Sequence, residues 1–425
     1  MKRFFISLSI MFVLSMILMC SNIHAAVIPI RSIDELQLIG NDQRYPLYAE
    51  YSLMQDIDAS STRNWNSGAG FKPIGTKDNP FVGKFNGNGY KIHGLFISRL
   101  SQSYVGLFGY ISQGGGVTNL GIEECWIEGK DYVGSLVGVN YVKVFNCHCS
   151  GSVEGNGIDV GGLVGYNEGA IYDSYNSCYV KGSSYIGGVV GYNYNGTISR
   201  SYNKGSIIGK ENVGGLVGFN NGAISDSYNQ GSVSGSSYSY SVGGLVGNQY
   251  YYRGTIANSY SVGSVSGSFY VGGLVGKNEG KVWNSYWDMQ TSGCEESAGG
   301  IGKMTEDMKH QATYEGWNFT NIWTIIEGQT YPYLLPANPS NDGGQVPPPN
   351  EGSYEYDGEY GYDGEVGYDE TGESGDDENA SEGGGIFGCF AGKNIPFSEK
   401  FIKYLVDYIF IGLLISLLSA MKRQN

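Results

Sequence analysis

The sequence predicts an all-β fold: a parallel β-solenoid (β-helix) of about seven coils, each 26–29 residues long, with a cap at either end. Three observations lead there. A hexapeptide recurs as Val133–Gly138, Val160–Gly165, Ile186–Gly191, Val213–Gly218, Val242–Gly247 and Val271–Gly276, with the shorter Val105–Gly109 before it. Its successive starts lie 28, 27, 26, 27, 29 and 29 residues apart. The composition is also unlike that of a helical protein, with 68 glycines and 35 tyrosines in 425 residues and only 16% charged residues. Finally, each unit holds three short β-favouring runs bounded by Gly or Asn, too short for helices and too few for a four-stranded propeller blade.

The elements follow in chain order. Residues 1–25 read as a signal peptide: Lys2 and Arg3 precede an apolar run, and Ala25–Ala26 offers a cleavage point. Residues 27–100 form the N-terminal cap and first coils. Ser32 is placed to N-cap a short helix, with Glu35 completing a capping box. Residues 101–287 are the repeat solenoid. In it, Asn140, Asn167, Asn193, Asn220 and Asn278 fall seven positions after each first Val or Ile, and Asn248 comes one residue early. Stacked about 4.8 Å apart, these side chains are expected to form an amide ladder. Valines and leucines line the interior, and glycines serve left-handed corners or close backbone approach. Ser-Tyr pairs recur at 174–175, 201–202, 227–228, 259–260 and 285–286, and His148 takes the Tyr position one coil earlier.

Residues 288–336 are the C-terminal cap, with a short helix expected over 305–312 and Trp317, Trp323 and Ile325 closing the end of the stack against edge pairing. Residues 337–385 are an acidic Gly/Tyr-rich stalk, expected to be disordered: 341–385 carry 14 acids and no Lys or Arg. The formal net charge of −15 therefore leaves about −1 for the rest of the chain, with no basic stripe to suggest nucleic acid. Residues 386–403 are a juxtamembrane segment containing Cys389. Residues 404–421 are a transmembrane anchor, and the basic tail 422–425 favours a cytoplasmic C-terminus. The expected localisation is export to the cell surface, with the membrane as partner through this last helix.

The repeated V-G-G-L-V-G-x-N unit resembles the GLUG motif of bacterial surface and adhesin-like proteins. Tyr51–Asp58 with Phe81–Gly89 is similar to the usual lead-in, and Gly316–Trp317 through Tyr331–Leu334 to the closing segment. The resemblance implies a surface-exposed β-solenoid and no single activity. The run Gly383–Phe390, the apolar helix and the basic tail resemble a bacterial sorting signal in which Cys389 would be processed or lipidated. Four charged residues separate Cys389 from the helix, and a plain membrane anchor is the alternative.

The pattern offers little for catalysis. No H-E-x-x-H, G-x-S-x-G or P-loop occurs. No catalytic residue, metal or cofactor is expected. Cys125, Cys147, Cys149 and Cys178 fall on neighbouring coils and could form one or two disulfides in an exported protein. Asp173 and Asp226 share a column two coils apart, which keeps open a polysaccharide lyase or hydrolase. The better lead is aromatic: Tyr238, Tyr240, Tyr250, Tyr251 and Tyr252 sit in enlarged turns, where a flat ring with a hydroxyl suits glycan or protein contact. The sequence thus points to a non-catalytic adhesion or scaffold module; the enzyme and a purely structural envelope component are the alternatives.

Overall fold

The computed structural model describes residues 27–250 and 253–336. The expected signal peptide, stalk and anchor, with Tyr251, Tyr252 and Cys389, lie outside them. The described chain is a parallel β-solenoid of about ten turns. One column of short strands runs from Ile28–Ile30 to Lys281–Trp283 in ten parallel layers. Its central residues are apolar throughout, Ile28, Tyr51, Phe85, Val117, Val144, Ile171, Ile198, Ile224, Ile256 and Val282 in register. The early coils fill this column with Tyr and Phe and lack most of the hexapeptide, so the repeat by itself undercounts the stack.

A full coil holds four strands rather than three. In one coil they are Val164–Asn167, Ala170–Tyr172, Tyr175–Lys181 and Ser184–Gly187. The hexapeptide itself spans a bend between the last strand of one coil and the first of the next. Its Val/Ile and Leu/Val positions, such as Val160, Leu163 and Val164, are fully buried in one continuous core.

The corners decide between the two roles expected of glycine. Two columns per coil take positive φ, and neither is glycine. One is Asn119, Asn146, Asp173, Arg200, Asp226, Asn258 and Asn284, with φ between 54° and 43°. The other precedes each hexapeptide: Tyr104, Tyr132, Asp159, Tyr185, Asn212, Ser241 and Tyr270, with φ between 65° and 52°. Asn and Asp tolerate this conformation through local polar contacts; for tyrosine it costs about 1–2 kcal/mol, which ring packing must offset. The hexapeptide glycines serve close approach. A Cβ on Gly188 would run into the carbonyl oxygen of Gly215 and the amide of Asn203, and one on Gly161 into the carbonyl of Val164.

Side-chain ladders tie the coils together. Asn140 Nδ2 donates to Asn167 Oδ1, Asn167 to Asn193 and Asn193 to Asn220, at 2.8, 2.8 and 2.9 Å. Gln249, not Asn248, continues the series: it accepts from Asn220 at 3.2 Å and donates to Asn278 at 3.1 Å. A second amide ladder joins Asn176, Asn203 and Asn229. Between them runs a serine ladder in which each hydroxyl accepts the N–H of the coil before and donates to a carbonyl two residues back, as Ser201 does for Ser174 N and Ser199 O. Cys147 occupies this column, with its N–H on Ser174 Oγ.

At the N-terminus Ser32 caps the helix Ile33–Leu38, accepting from Glu35 N at 3.2 Å. The reciprocal contact shifts by one residue, because Glu35 accepts from Arg31 N at 2.7 Å rather than from the cap itself. The far end also differs from expectation. Residues 305–312 form two 3-10 turns, Asp307–Lys309 and Gln311–Thr313, separated by an extended His310. Trp317 and Trp323 lie along the side of the solenoid, while Ser297 and Ala298 meet the last coil at Val275.

Candidate functional site

The serine-tyrosine column forms a stacked ladder. His148, Tyr175, Tyr202, Tyr228 and Tyr260 lie 4.8, 4.8, 4.8 and 5.0 Å apart with planes within 7°. This is the strand spacing expressed in side chains. Its last coils are already occupied. Trp323, fully buried, sits 6.0 Å from both Tyr228 and Tyr260, and Trp317 packs on Tyr260 and Tyr286. Tyr260 Oη donates to Pro332 O at 2.6 Å, and Arg200 Nη2 to Leu335 O at 3.0 Å. The returning segment 317–335 therefore straps the ladder from Tyr286 back to Arg200.

A second aromatic face is uncovered by any such strap among the described residues. It begins where Tyr104 stacks on Tyr132, 5.0 Å apart and 3° from parallel. Tyr132 meets Tyr166 edge-on at 6.1 Å, Tyr166 meets Tyr192 at 5.4 Å, and Tyr192 meets Phe219 at 5.0 Å. Tyr110, Tyr141, Tyr185 and Tyr194 fill the flanks, and Tyr250 ends the strip 5.7 Å from Phe219. The rings come from three columns: the left-handed corner residue, the residue before the ladder Asn, and the residue after it. Side-chain alternation puts the ladder Asn inside and its neighbours outside. The rings are mostly half-buried, and Tyr166 Oη donates to Glu168 Oε1 at 2.7 Å. Burial raises the pKa of Tyr141, Tyr166 and Tyr192, so each keeps its phenolic proton as a donor.

Asp159 interrupts the strip. It takes the corner position between Tyr132 and Tyr185, is 2% exposed, and its Oδ1 has no hydrogen-bond partner among the described residues. Burial, and secondarily the charge of Asp131, pushes its pKa well above the usual carboxylate range.

The predicted tyrosines divide. Tyr250 joins the strip. Tyr238 and Tyr240 stand in a separate cluster, 80% and 40% exposed, with Phe269 at 54% and Tyr270 at 55%; the rings of Tyr240 and Tyr270 meet at 4.7 Å. Sequence reasoning missed the main strip because it looked at enlarged turns. Aligning the repeats by column, with Tyr104, Tyr132, Tyr185 and Tyr270 before the hexapeptide and Tyr166, Tyr192 and Phe219 before the ladder position, carries the signal.

The remaining candidates are engaged elsewhere. Asp173 Oδ1 accepts from Arg200 Nε at 2.6 Å, and Asp226 is buried, accepting from Trp323 Nε1. With Arg200 in the column between them and Trp323 over Asp226, the two do not face a common water. Cys125, Cys149 and Cys178 are buried free thiols in one cluster. Cys178 Sγ lies 2.8 Å from Cys149 and 4.0 Å from Cys125, the latter contact reaching across the side-chain-less Gly151. Cys147 stands apart with its thiol on Phe145 O, and burial raises its pKa to about 12.

Fold and ladders together define a repeat protein of the parallel β-solenoid class. A family model described as the GLUG motif matches residues 182–208 and 238–266, so the chain carries GLUG repeats at two places. Halomucin of Haloquadratum walsbyi is 39% identical over 110 residues, 25% of this chain and 1% of that protein. A protein of Evansella cellulosilytica named as a Gly-rich membrane protein is 43% identical over 99 residues, 23% of this chain and 11% of that one. The match thus spans a small part of either relative. A solved Bacteroides ovatus chain, named for an immunoglobulin A1 protease, is similar over 73% of this chain and 93% of its own, at 20% identity and a TM-score of 0.49.

Proposed function

We propose that the chain is an exported, membrane-anchored, non-catalytic binding module that holds a rigid aromatic face toward glycans or proteins at the cell surface. The observation that carries this reading is the continuous strip from Tyr104 to Tyr250. Tyrosines fixed by strand register lose little side-chain entropy on binding, and they offer both a flat apolar face and a hydroxyl. The names of two relatives, a halomucin and a Gly-rich membrane protein, agree with a place at the cell envelope. So do the apolar run at 404–421 and its basic tail. The polysaccharide-enzyme alternative loses its carboxylate pair to Arg200 and Trp323.

The test is an array of glycans and extracellular-matrix proteins probed with the full-length chain. Binding should weaken in a Tyr166→Ser/Tyr192→Ser double variant and less in Tyr238→Ser/Tyr240→Ser. Binding unaffected by both double variants, or polysaccharide turnover by the native chain, would overturn the reading.

A further inference from the structure

The N-terminal end of the strip opens into a pair of adjoining depressions of different chemistry. One, of about 410 Å³, is lined by Arg99, Gln102 and Tyr104; the other, of about 450 Å³, by Gln37, Asn41 and Trp65. Asn66 and Lys72 line both and form the ridge between them. Each volume lies within the roughly 300–1,000 Å³ of small-ligand sites. Each has one aromatic wall and amide side chains; Lys72 is common to both, and Arg99 lines the first alone.

The charges are the informative part. Arg99 donates from Nε to Phe71 O at 3.1 Å, from Nη1 to Gln102 Oε1 at 3.3 Å and from Nη2 to Gly70 O at 3.4 Å. A guanidinium has five N–H donors, so two remain, and no carboxylate meets it among the described residues. Lys72 is fixed at its backbone by both polar atoms of the Gln37 amide, and its Nζ donates to Asn41 Oδ1 at 3.0 Å. It too has donors left. Neither depression is lined by an acid. Asp131 lies behind Ser103, which donates to it at 3.0 Å, and Lys130 Nζ lies 3.5 Å from it. Both cations thus line the first depression without a carboxylate partner among the described residues.

We infer that this paired depression is a subsite for an acidic disaccharide. Tyr104 and Trp65 would each face a sugar ring, the amides of Gln37, Asn41, Asn66 and Gln102 would meet hydroxyls, and Arg99 and Lys72 would hold a carboxylate between them. The inference rests on the glycan branch of the proposed function and adds to it a charge preference and a location.

Titration calorimetry of the full-length chain with digalacturonate and with a neutral digalactose tests it. A charge-assisted hydrogen bond is worth about 1.5 kcal/mol more than loss of the contact, so the acidic sugar should bind about tenfold tighter. The preference should shrink as salt shortens the Debye length. It should fall several-fold in Lys72→Gln, an exposed position, and persist in Tyr166→Ser/Tyr192→Ser. Equal affinity for the two sugars, or a preference undiminished in Lys72→Gln, overturns the inference. If the neutral sugar binds and is lost in the strip variant, only the acidic subsite fails. If neither sugar binds the native chain, the glycan reading fails with it.

Discussion

Replacing Asn193 by alanine perturbs the amide ladder at its middle. Asn193 is fully buried, and its side chain makes three hydrogen bonds: it accepts from Asn167 Nδ2 at 2.8 Å and donates to Asn220 Oδ1 at 2.9 Å and to Gly196 O at 3.0 Å. At about 1 kcal/mol net for each bond, the substitution should cost about 3 kcal/mol, with water unable to enter and replace the lost partners. Asn278, at the end of the same ladder, is the control. It is partly exposed, so in Asn278→Ala solvent can meet Gln249, and the cost should stay below about 1 kcal/mol. Because each coil contacts only its neighbours, the loss should be local as well as global. Native-state hydrogen exchange should show faster opening of 190–199 and the strands paired on either side, with little change at 28–53. The urea midpoint should fall more for Asn193→Ala than for Asn278→Ala. Equal costs at the two positions, or exchange accelerated uniformly along the stack, would show that the ladder does not hold the coils together.

Two further substitutions address the strap and the buried acid. Trp323→Ala removes a fully buried ring wedged among Tyr228, Tyr260 and Trp317, and should cost about 3–5 kcal/mol, read as early loss of protection across 317–335 while the coils before Tyr202 stay protected. Uniform destabilisation would instead make the segment part of the core. Asp159→Asn should stabilise the protein at pH 7 and leave it nearly unchanged below pH 3.8. The folded-state pKa is raised, so the acid costs nothing while protonated in both states. Stability is lost as pH rises from the unfolded value through the folded one. Asparagine fits the corner because Asn212 takes the same left-handed conformation two coils on. A pH-independent effect in urea melts would refute the assignment.

The legible part of the fold was whatever repeats. Each Val or Leu of the hexapeptide and each ladder Asn falls at the same point of a coil, so spacing alone puts them in columns. The first coils were harder to read because Tyr51 and Phe85 do the work of later valines without the surrounding glycines. Gln249 lies at the regular seventh position after Val242, and the adjacent Asn248 drew attention from it only because it matches the residue type of the other ladder positions. The tyrosine strip was legible in principle, but its rings belong to three separate columns of the coil. Tyr104 and Tyr132, Tyr166 and Tyr192, and Tyr192 and Phe219 become neighbours only across the step between coils.

The amino-acid sequence by itself determined the solenoid, because a strict 26–29-residue period of buried valines has one economical solution: identical positions stacked at the strand spacing. Tertiary structure decided what the glycines are for and where the tail goes. In the hexapeptide the glycines admit a neighbouring carbonyl rather than a left-handed turn, while tyrosines and asparagines take the turns. Closeness between coils is a property of the stack, and no single coil contains it. Likewise Trp317 and Trp323 could have closed an end or covered a side. The side won because a ladder of stacked tyrosine edges, with Asp226 ready to accept the indole N–H, buries them more completely than an end already met by residues 297–301.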